Sequence, residues 1–280
     1  MGILSGLGGM GLGNLEGFSL YENAEKPQEK ENSSEEKVKI VPKAKEEDYL
    51  FEKSFSCPVC MNEFKALAVR AGKTKLLGTE LDLRPKYENV EPLKYDVIVC
   101  DKCGCASLSR FWGPMTPSQR KAFVEQIGKL YKKKIYITGA YTYEHALERY
   151  QLALANAMVK GVKASEKAYI CLKAGWLLRS QIETLDEESD SEKISNLINM
   201  EEEYLANALE GFVVARSKEL MPICGMDEAT LDYLLATLMY RLKKYEQAAK
   251  MVGNLLVSRT ANSRIKDRAL NLKELIKEKL

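Results

Sequence analysis

The chain has 280 residues, 45% of them hydrophobic and 29% charged, which is the composition of an ordinary folded protein and excludes a wholly disordered chain. This length exceeds that of most single domains, so two modules and a tail are expected. Forty-two Lys and Arg residues against forty Asp and Glu residues leave a formal charge of +2, so partners must be inferred from local features.

The N-terminus lacks the positively charged start and small-residue cleavage site of a signal peptide. No later stretch reaches the roughly 18 consecutive apolar residues of a membrane-spanning helix. Five of the seven cysteines lie between Cys57 and Cys105, a pattern typical of metal ligands in a reducing compartment rather than of a disulfide framework. We therefore expect a cytoplasmic protein without a membrane span.

Residues 1–48 are predicted to form a flexible tail. Residues 1–24 are rich in glycine, and residues 25–48 carry eight acidic and six basic side chains with almost nothing to bury. Such a segment cannot offset the entropy lost on ordering. A short docking peptide within residues 1–24 is the alternative to plain disorder.

Residues 49–115 are predicted to form a small β module. Alternating apolar and polar residues on either side of the cysteine pairs indicate a half-buried hairpin that brings the two pairs together. The apolar positions are Phe64, Leu67 and Val69 after the first pair and Leu93, Tyr95, Val97 and Val99 before the second.

Two CxxC motifs, Cys57-Pro-Val-Cys60 and Cys100-Asp-Lys-Cys103, predict a metal site in this module. Two residues between cysteines let one tight turn present both sulfurs at about 2.3 Å from a shared ion. Four thiolates complete a closed tetrahedral shell, which leaves no open position for water or substrate. We therefore predict a structural Zn²⁺ ion bound by Cys57, Cys60, Cys100 and Cys103, whose removal unfolds the module.

Iron in a rubredoxin-like site remains an alternative, because the same ligands suit both metals. A thioredoxin-like site is disfavoured, since a strand rather than a helix follows the first pair. Cys105 is either a substitute for Cys103 or a spare thiol, and we expect a spare thiol. Cys171 and Cys224 are expected to be small core residues.

Residues 116–280 are predicted to be all-helical, beginning at Thr116-Pro117, where the hydroxyl caps and the proline fits the first turn. Three helices share one pattern: a small residue, an aromatic or β-branched residue four positions later, and a small or apolar residue three positions after that. This pattern resembles the tetratricopeptide repeat. These sets are Ala146/Tyr150/Ala153, Ala208/Phe212/Ala215 and Ala248/Val252/Leu255. The repeats are irregular, with an insertion at residues 183–200, and a non-repeating helical bundle is the alternative.

No catalytic constellation is found. His145 is the sole histidine, and its helical position favours a packed or surface role over general-base chemistry. Glu201, Glu202 and Glu203 form a charge run of the kind that usually faces solvent. We therefore expect a protein that is not an enzyme.

Basic side chains cluster at Lys129, Lys132, Lys133 and Lys134 and in the segment from Ser258 to Leu280. Cations near a helix C-terminus also stabilise the helix dipole, which is the simpler explanation. Nucleic-acid binding would require these clusters to share a face with the metal module, near Arg70, Lys73, Lys75 and Arg110.

Several motifs in the chain form a specific combination. They are Cys57-Pro-Val-Cys60, Asp82-Leu-Arg84-Pro85-Lys-Tyr87, Pro92-Leu-Lys-Tyr95-Asp-Val-Ile-Val-Cys100, Cys103-Gly104-Cys105-Ala106 and Ala174-Gly175-Trp176-Leu-Leu-Arg179. Over roughly residues 50–280, this combination resembles the bacterial domain-of-unknown-function (DUF) 2225 family. The resemblance implies a zinc-ribbon-like head followed by tetratricopeptide-like helices. The family is uncharacterised, so the resemblance implies no particular activity.

The chain departs from that family's pattern at two positions. Met61 stands where glycine commonly follows the second cysteine, and Cys105 stands where an aromatic residue commonly follows Cys103-Gly104. The group Asp82, Arg84, Tyr87 and Tyr95 is either a binding surface or a loop held by an Asp82–Arg84 interaction, and we expect the loop.

Together these features predict an α+β protein: a disordered tail (1–48), a four-cysteine zinc-ribbon-like module (49–115) and a tetratricopeptide-like helical domain (116–280). The expected function is that of a metal-stabilised scaffold or adaptor that binds a protein or peptide partner. A nucleic-acid-binding or transcription-associated zinc-ribbon protein is the first alternative, and an enzyme or redox sensor acting through Cys105 is the second.

Overall fold

A computed structural model of the chain describes residues 45–133 and 139–280. Within these ranges the fold is mixed α+β, with three antiparallel two-stranded sheets followed by seven α-helices. The predicted tail lies outside the described residues except for residues 45–48, of which residues 46–48 belong to a short 3₁₀ turn at Glu46–Tyr49. In the described part of the chain, no helix has both the length and the hydrophobicity needed to cross a bilayer.

The strands form three local hairpins, each made by neighbours in sequence. In chain order they are β1 (Leu50–Ser56), β2 (Glu63–Val69), β3 (Leu76–Thr79), β4 (Pro85–Tyr87), β5 (Val97–Val99) and β6 (Ala106–Leu108). β1 pairs with β2, β3 with β4, and β5 with β6, all antiparallel. Each sheet therefore has two open edges and depends on tertiary packing for its stability.

The expected single hairpin between the segments that flank the cysteine pairs is wrong. Pro92–Tyr95 forms a 3₁₀ turn instead of a strand, because proline fixes the first φ angle and the Glu91 carboxylate accepts the Leu93 N–H at 3.1 Å. Only Val97–Val99 of the predicted strand is extended. The two cysteine pairs nevertheless meet, because one pair lies in the β1–β2 connection and the other in the β5–β6 connection.

The helices occupy the remainder of the described chain. They are α1 (Pro117–Phe123), α2 (Tyr143–Val159), α3 (Ala164–Ile182), α4 (Ser191–Lys218), α5 (Glu228–Arg241), α6 (Tyr245–Val257) and α7 (Ser263–Lys277). α1 begins as predicted, with the Thr116 hydroxyl accepting the Gln119 N–H at 3.3 Å and Pro117 in the first turn. A π-helical turn, Val124–Gly128, continues it.

From α2 onward, each helix packs against the next one along the chain. All nine positions of the shared spacing are buried, at Ala146, Tyr150, Ala153, Ala208, Phe212, Ala215, Ala248, Val252 and Leu255. α3 and α4 pack closely, because a Cβ added at Gly175 would lie 2.9 Å from the Leu205 side chain and one added at Gly211 would lie 2.8 Å from the Ala168 side chain. The predicted insertion at 183–200 is a loop only as far as Asp190, because α4 begins at Ser191.

The hydrophobic core continues from the head into the helices. One cluster joins residues beside the cysteines, among them Val97 and Leu108, to Tyr150 of α2 and Leu177 of α3. A second cluster lies among α5, α6 and α7, and Leu81 and Leu83 of the β3–β4 turn pack against it. The cysteine module is therefore built onto the helices rather than tethered beside them.

Candidate metal centre

The four predicted ligands come together. The sulfurs of Cys57, Cys60, Cys100 and Cys103 all lie within 4.8 Å of one another. The Cys57–Cys103 sulfur distance is 3.6 Å and the Cys60–Cys100 distance is 3.7 Å. A tetrahedral ion with bonds of about 2.3 Å places its sulfurs about 3.8 Å apart, so the donor set fits a tetrahedral metal ion.

The first cysteine turn is closed by backbone hydrogen bonds. The Met61 N–H donates to the Cys57 carbonyl at 3.1 Å, and the Cys57 N–H donates to the Asn62 carbonyl at 2.9 Å. The Val59 N–H donates to the Cys57 sulfur at 3.4 Å, a contact that favours a thiolate. Met61 adopts a left-handed φ of 56°, a conformation that glycine takes without strain and that other residues seldom adopt.

The second cysteine turn repeats this pattern. The Gly104 N–H donates to the Cys100 carbonyl at 2.9 Å, and the Cys100 N–H donates to the Cys105 carbonyl at 2.8 Å. Gly104 has a φ of 74°, and a Cβ at this position would lie 2.5 Å from the ring of Tyr131. Both turns therefore present their cysteines in the same way, one on each side of the four-sulfur cluster.

The helical part of the chain holds both turns in place. Asn156 of α2 is fully buried, and its side chain accepts the Ala106 N–H at 3.1 Å and donates to the Gly104 carbonyl at 3.0 Å. Arg120 of α1 donates to the Pro58 carbonyl at 2.6 Å. The sequence analysis missed Asn156, although a lone amide within an apolar, alanine-rich helix face is a signal for such a role.

The thiols strongly affect one another's ionisation. Hydrogen bonds from Cys100 and Cys103 lower the pKa of Cys57 below its ordinary value of 9.0, whereas contacts with Cys100 and Cys57, together with burial, raise the pKa of Cys103. Thiols this close cannot all ionise unless a cation compensates their charge. A divalent ion at the centre of the cluster would supply that charge, and four-sulfur sets suit zinc and iron alike.

Cys105 is outside the four-sulfur group, although it lies close to it. It is buried, and contact with Cys57 together with burial raises the pKa of its thiol. Cys171 is buried in α3, where burial raises its pKa to about 12. Cys224 is half-buried and donates to the Ser165 carbonyl at 3.4 Å.

A second cluster, which consists of buried ions, joins the β3–β4 turn to the helices. The carboxylate of Asp82 is fully buried and lies 2.9 Å from Arg179 of α3 and 3.1 Å from Arg241 of α5. Trp176 also donates to it, at 3.1 Å. Burial disfavours ionisation, but the two arginines outweigh burial and hold the pKa of Asp82 at about 2. Glu201 pairs with Arg179 at 2.6 Å, so it does not simply face solvent as its charge run suggests.

Arg84 and Asp82 do not hold the loop by pairing with each other. Arg84 is buried and pairs with Glu80 at 3.1 Å and with Glu183 at 2.5 Å. Its guanidinium also donates to the Trp176 carbonyl at 3.3 Å. The expected Asp82–Arg84 interaction is therefore wrong: Asp82 pairs with arginines of α3 and α5, whereas Arg84 pairs with a carboxylate of its own turn and with one at the end of α3.

The other residues singled out from the sequence are Tyr87, Tyr95 and His145. The Tyr95 hydroxyl donates to Glu46 at 2.8 Å, and its ring stacks on Tyr141 with centroids 5.1 Å apart. Tyr87 lines two neighbouring cavities, of about 370 Å³ and 430 Å³. The ring centroid of His145 lies 4.6 Å from that of Tyr141, so His145 packs against this tyrosine.

Comparison with known proteins agrees with the motif combination. A model of the family described as an uncharacterized protein conserved in bacteria (DUF2225) matches residues 50–276. The match includes both cysteine turns, the buried ion cluster and the helices. No curated protein and no solved structure matches the chain.

Proposed function

The chain belongs to the DUF2225 family, whose description names no activity, and we propose that it is a non-enzymatic scaffold or adaptor protein. In this proposal a structural zinc ion stabilises the head, and the helices bind a protein partner. The observation that carries it is a group of exposed apolar side chains around the end of α4, described below.

The proposed zinc ion has a structural role because the four sulfurs surround one position as a closed shell. Cys57 and Cys100 are fully buried, and Cys60 and Cys103 are partly buried. Zinc in such a shell has no open coordination site, so it serves stability rather than chemistry. The two opposed cysteine turns support a zinc-ribbon-like head, and the buried small residues between consecutive helices support a tetratricopeptide-like array.

The partner surface that we propose is the α4-end patch, formed by Val213, Val214, Leu220 and Met221. All four side chains are exposed, and Leu220 keeps 94% of its surface accessible. Single exposed apolar residues are ordinary on protein surfaces, whereas four within one short segment support a local interaction site. The neighbouring Arg216 pairs with Asp232 of α5, which provides a polar border beside the patch.

The test is affinity capture from bacterial cells with the tagged full-length chain. We expect one protein to be recovered reproducibly with the unaltered chain and to be absent from an empty-vector control. Leu220→Glu and Val213→Glu should each abolish its recovery, because a buried carboxylate would be left unpaired in the interface. Val257→Glu is the matched control, since Val257 is 81% exposed at the end of α6 and lies outside the patch.

Two results would count against the proposal. Repeated capture without any specific protein would remove the adaptor role. Equal loss of the partner with Val257→Glu would show that the α4-end patch is not the surface that binds.

A further inference from the structure

A cleft of about 490 Å³ lies on α1 and the turn that follows it. We call it the basic cleft. Its lining consists of Met115, Pro117, Arg120, Lys121, Val124, Glu125 and Lys129. Three cations therefore face one carboxylate in a space large enough for several side chains of a peptide.

The cations of the basic cleft are available to a ligand. Arg120, Lys121 and Lys129 are exposed. Close to the cleft, Lys133 pairs with Asp101 at 2.6 Å. No carboxylate among the described residues pairs with Lys121 or Lys129. Uncompensated positive charge in a concave surface raises the local concentration of anionic partners.

The lining of the cleft also includes three apolar side chains, those of Met115, Pro117 and Val124. Pro117, Lys121 and Val124 follow one another at helical spacing, so they lie along one face, and Met115 precedes them. The same segment turns Phe123 and Ile127 into the core. Apolar side chains beside three cations suit a ligand that carries both carboxylates and an aliphatic side chain.

We propose that the basic cleft binds an acidic peptide segment of a protein partner, with an aliphatic side chain on Val124 and carboxylates on Arg120, Lys121 and Lys129. This inference rests on the adaptor role proposed above and gives that role a partner chemistry. Single-stranded nucleic acid also carries negative charge, but its binding uses exposed aromatic rings on which bases stack. The cleft lining holds no aromatic ring, and nearby Tyr131 is packed over Gly104.

The cleft is coupled to the metal centre through Arg120. Its guanidinium donates to the carbonyl of Pro58, which lies between the cysteines of the first turn. Lys133, a few residues beyond the cleft, pairs with Asp101 between the cysteines of the second turn. The peptide site therefore adjoins the four-cysteine cluster, so binding is measured on metal-loaded protein.

The test is fluorescence anisotropy with purified full-length protein and a labelled Glu-Glu-Leu repeat peptide. Lys121→Glu combined with Lys129→Glu should weaken binding at least about tenfold at low salt, because two attractive contacts become repulsive. Lys250→Glu combined with Lys273→Glu, on α6 and α7, changes the net charge equally and should alter affinity by less than about threefold, since these side chains lie outside the cleft lining and the Coulomb energy falls with distance. Both lysines of this control pair are exposed.

Two further ligands separate the alternatives. A Glu-Glu-Ser repeat should bind more weakly than the leucine peptide, and Val124→Ser should remove that difference, as expected if Val124 contacts the aliphatic group. An oligodeoxythymidine that binds more tightly than the peptide and displaces it would overturn the inference in favour of nucleic acid. Equal losses in the two double variants, or no peptide binding at low salt, would also overturn it.

The peptide titration and the capture experiment fail independently. If the chain captures a cellular protein through the α4-end patch but does not bind the peptide, only the proposal about the basic cleft is rejected. Peptide binding without any captured protein would leave the cleft intact and remove the adaptor role.

Discussion

The indole of Trp176 donates a hydrogen bond to the carboxylate of Asp82 at 3.1 Å, although the two residues are 94 positions apart. Arg179, three residues further along α3, binds the same carboxylate, and so does Arg241 of α5. One buried anion thus fixes the β3–β4 turn to two helices. The two motifs that first suggested the family, one around Asp82 and one around Trp176, are the two sides of this contact.

Asp82→Asn is predicted to destabilise the protein strongly. The substitution removes the charge that Arg179 and Arg241 compensate and leaves two cations without their shared carboxylate. Breaking a buried ion pair in this way costs about 3–5 kcal/mol. Denaturant unfolding should show the loss, whereas Glu52→Gln in the exposed Glu52–Lys65 pair should change stability by less than about 1 kcal/mol.

The contribution of Asp82 should also depend on pH. Its pKa is lowered from 3.8 to about 2 in the folded state, so its stabilisation is complete above pH 3.8 and is lost as the pH falls through about 2. A shift of this size corresponds to about 2 kcal/mol. The difference in unfolding free energy between the parent chain and Asp82→Asn should therefore narrow over this window. A difference that stays constant down to pH 2 would contradict the role of the charge.

The sequence alone was sufficient for features that depend on local spacing. The CxxC pairs identified all four clustered cysteines, and the helical spacing identified nine positions that prove to be buried. Thr116 and Pro117 marked the start of α1 for the same reason, since capping involves residues within one turn.

Features that depend on distant partners could not be predicted in this way. β5 and β6 have three residues each, too few for a periodic signal to choose a partner. Glu201 reads as a solvent-facing charge until α3 brings Arg179 beside it. The role of Asn156 likewise could not be predicted, because its partners in the second cysteine turn are about 50 residues away in the sequence.

Gly104→Ala should weaken the second cysteine turn. The position has a φ of 74°, and the added Cβ would lie 2.5 Å from the Tyr131 ring. The left-handed conformation alone costs about 1–2 kcal/mol for a residue other than glycine, and the steric clash adds to it. A lower melting temperature and faster metal transfer to a chromogenic chelator are expected.

Gly72→Ala is the matched control for this change, because no atom lies within 4 Å of its added Cβ. Its melting temperature and its metal transfer rate should stay close to those of the parent chain. Equal behaviour of the two alanine variants would show that Gly104 is not required by the turn.

Met61→Gly should stabilise the first cysteine turn. Met61 adopts a φ of 56° and is 68% exposed, so glycine relieves backbone strain and removes little packing. The expected gain is up to about 1 kcal/mol, reduced by the greater freedom of glycine in the unfolded chain. Met61→Ala keeps the strain and should give no gain. A loss of stability with glycine, measured by thermal unfolding of the metal-loaded protein, would contradict the strain at this position.

The most direct measurement is the metal content and sulfur coordination of the purified chain, by elemental analysis and X-ray absorption. We predict one zinc ion per chain with four sulfur neighbours at about 2.3 Å. Cys103→Ser should lose the ion, whereas Cys171→Ser, at a buried thiol in α3, should retain it. A folded protein that carries no metal, or that holds as much zinc after Cys103→Ser as before, would contradict a structural four-cysteine zinc site.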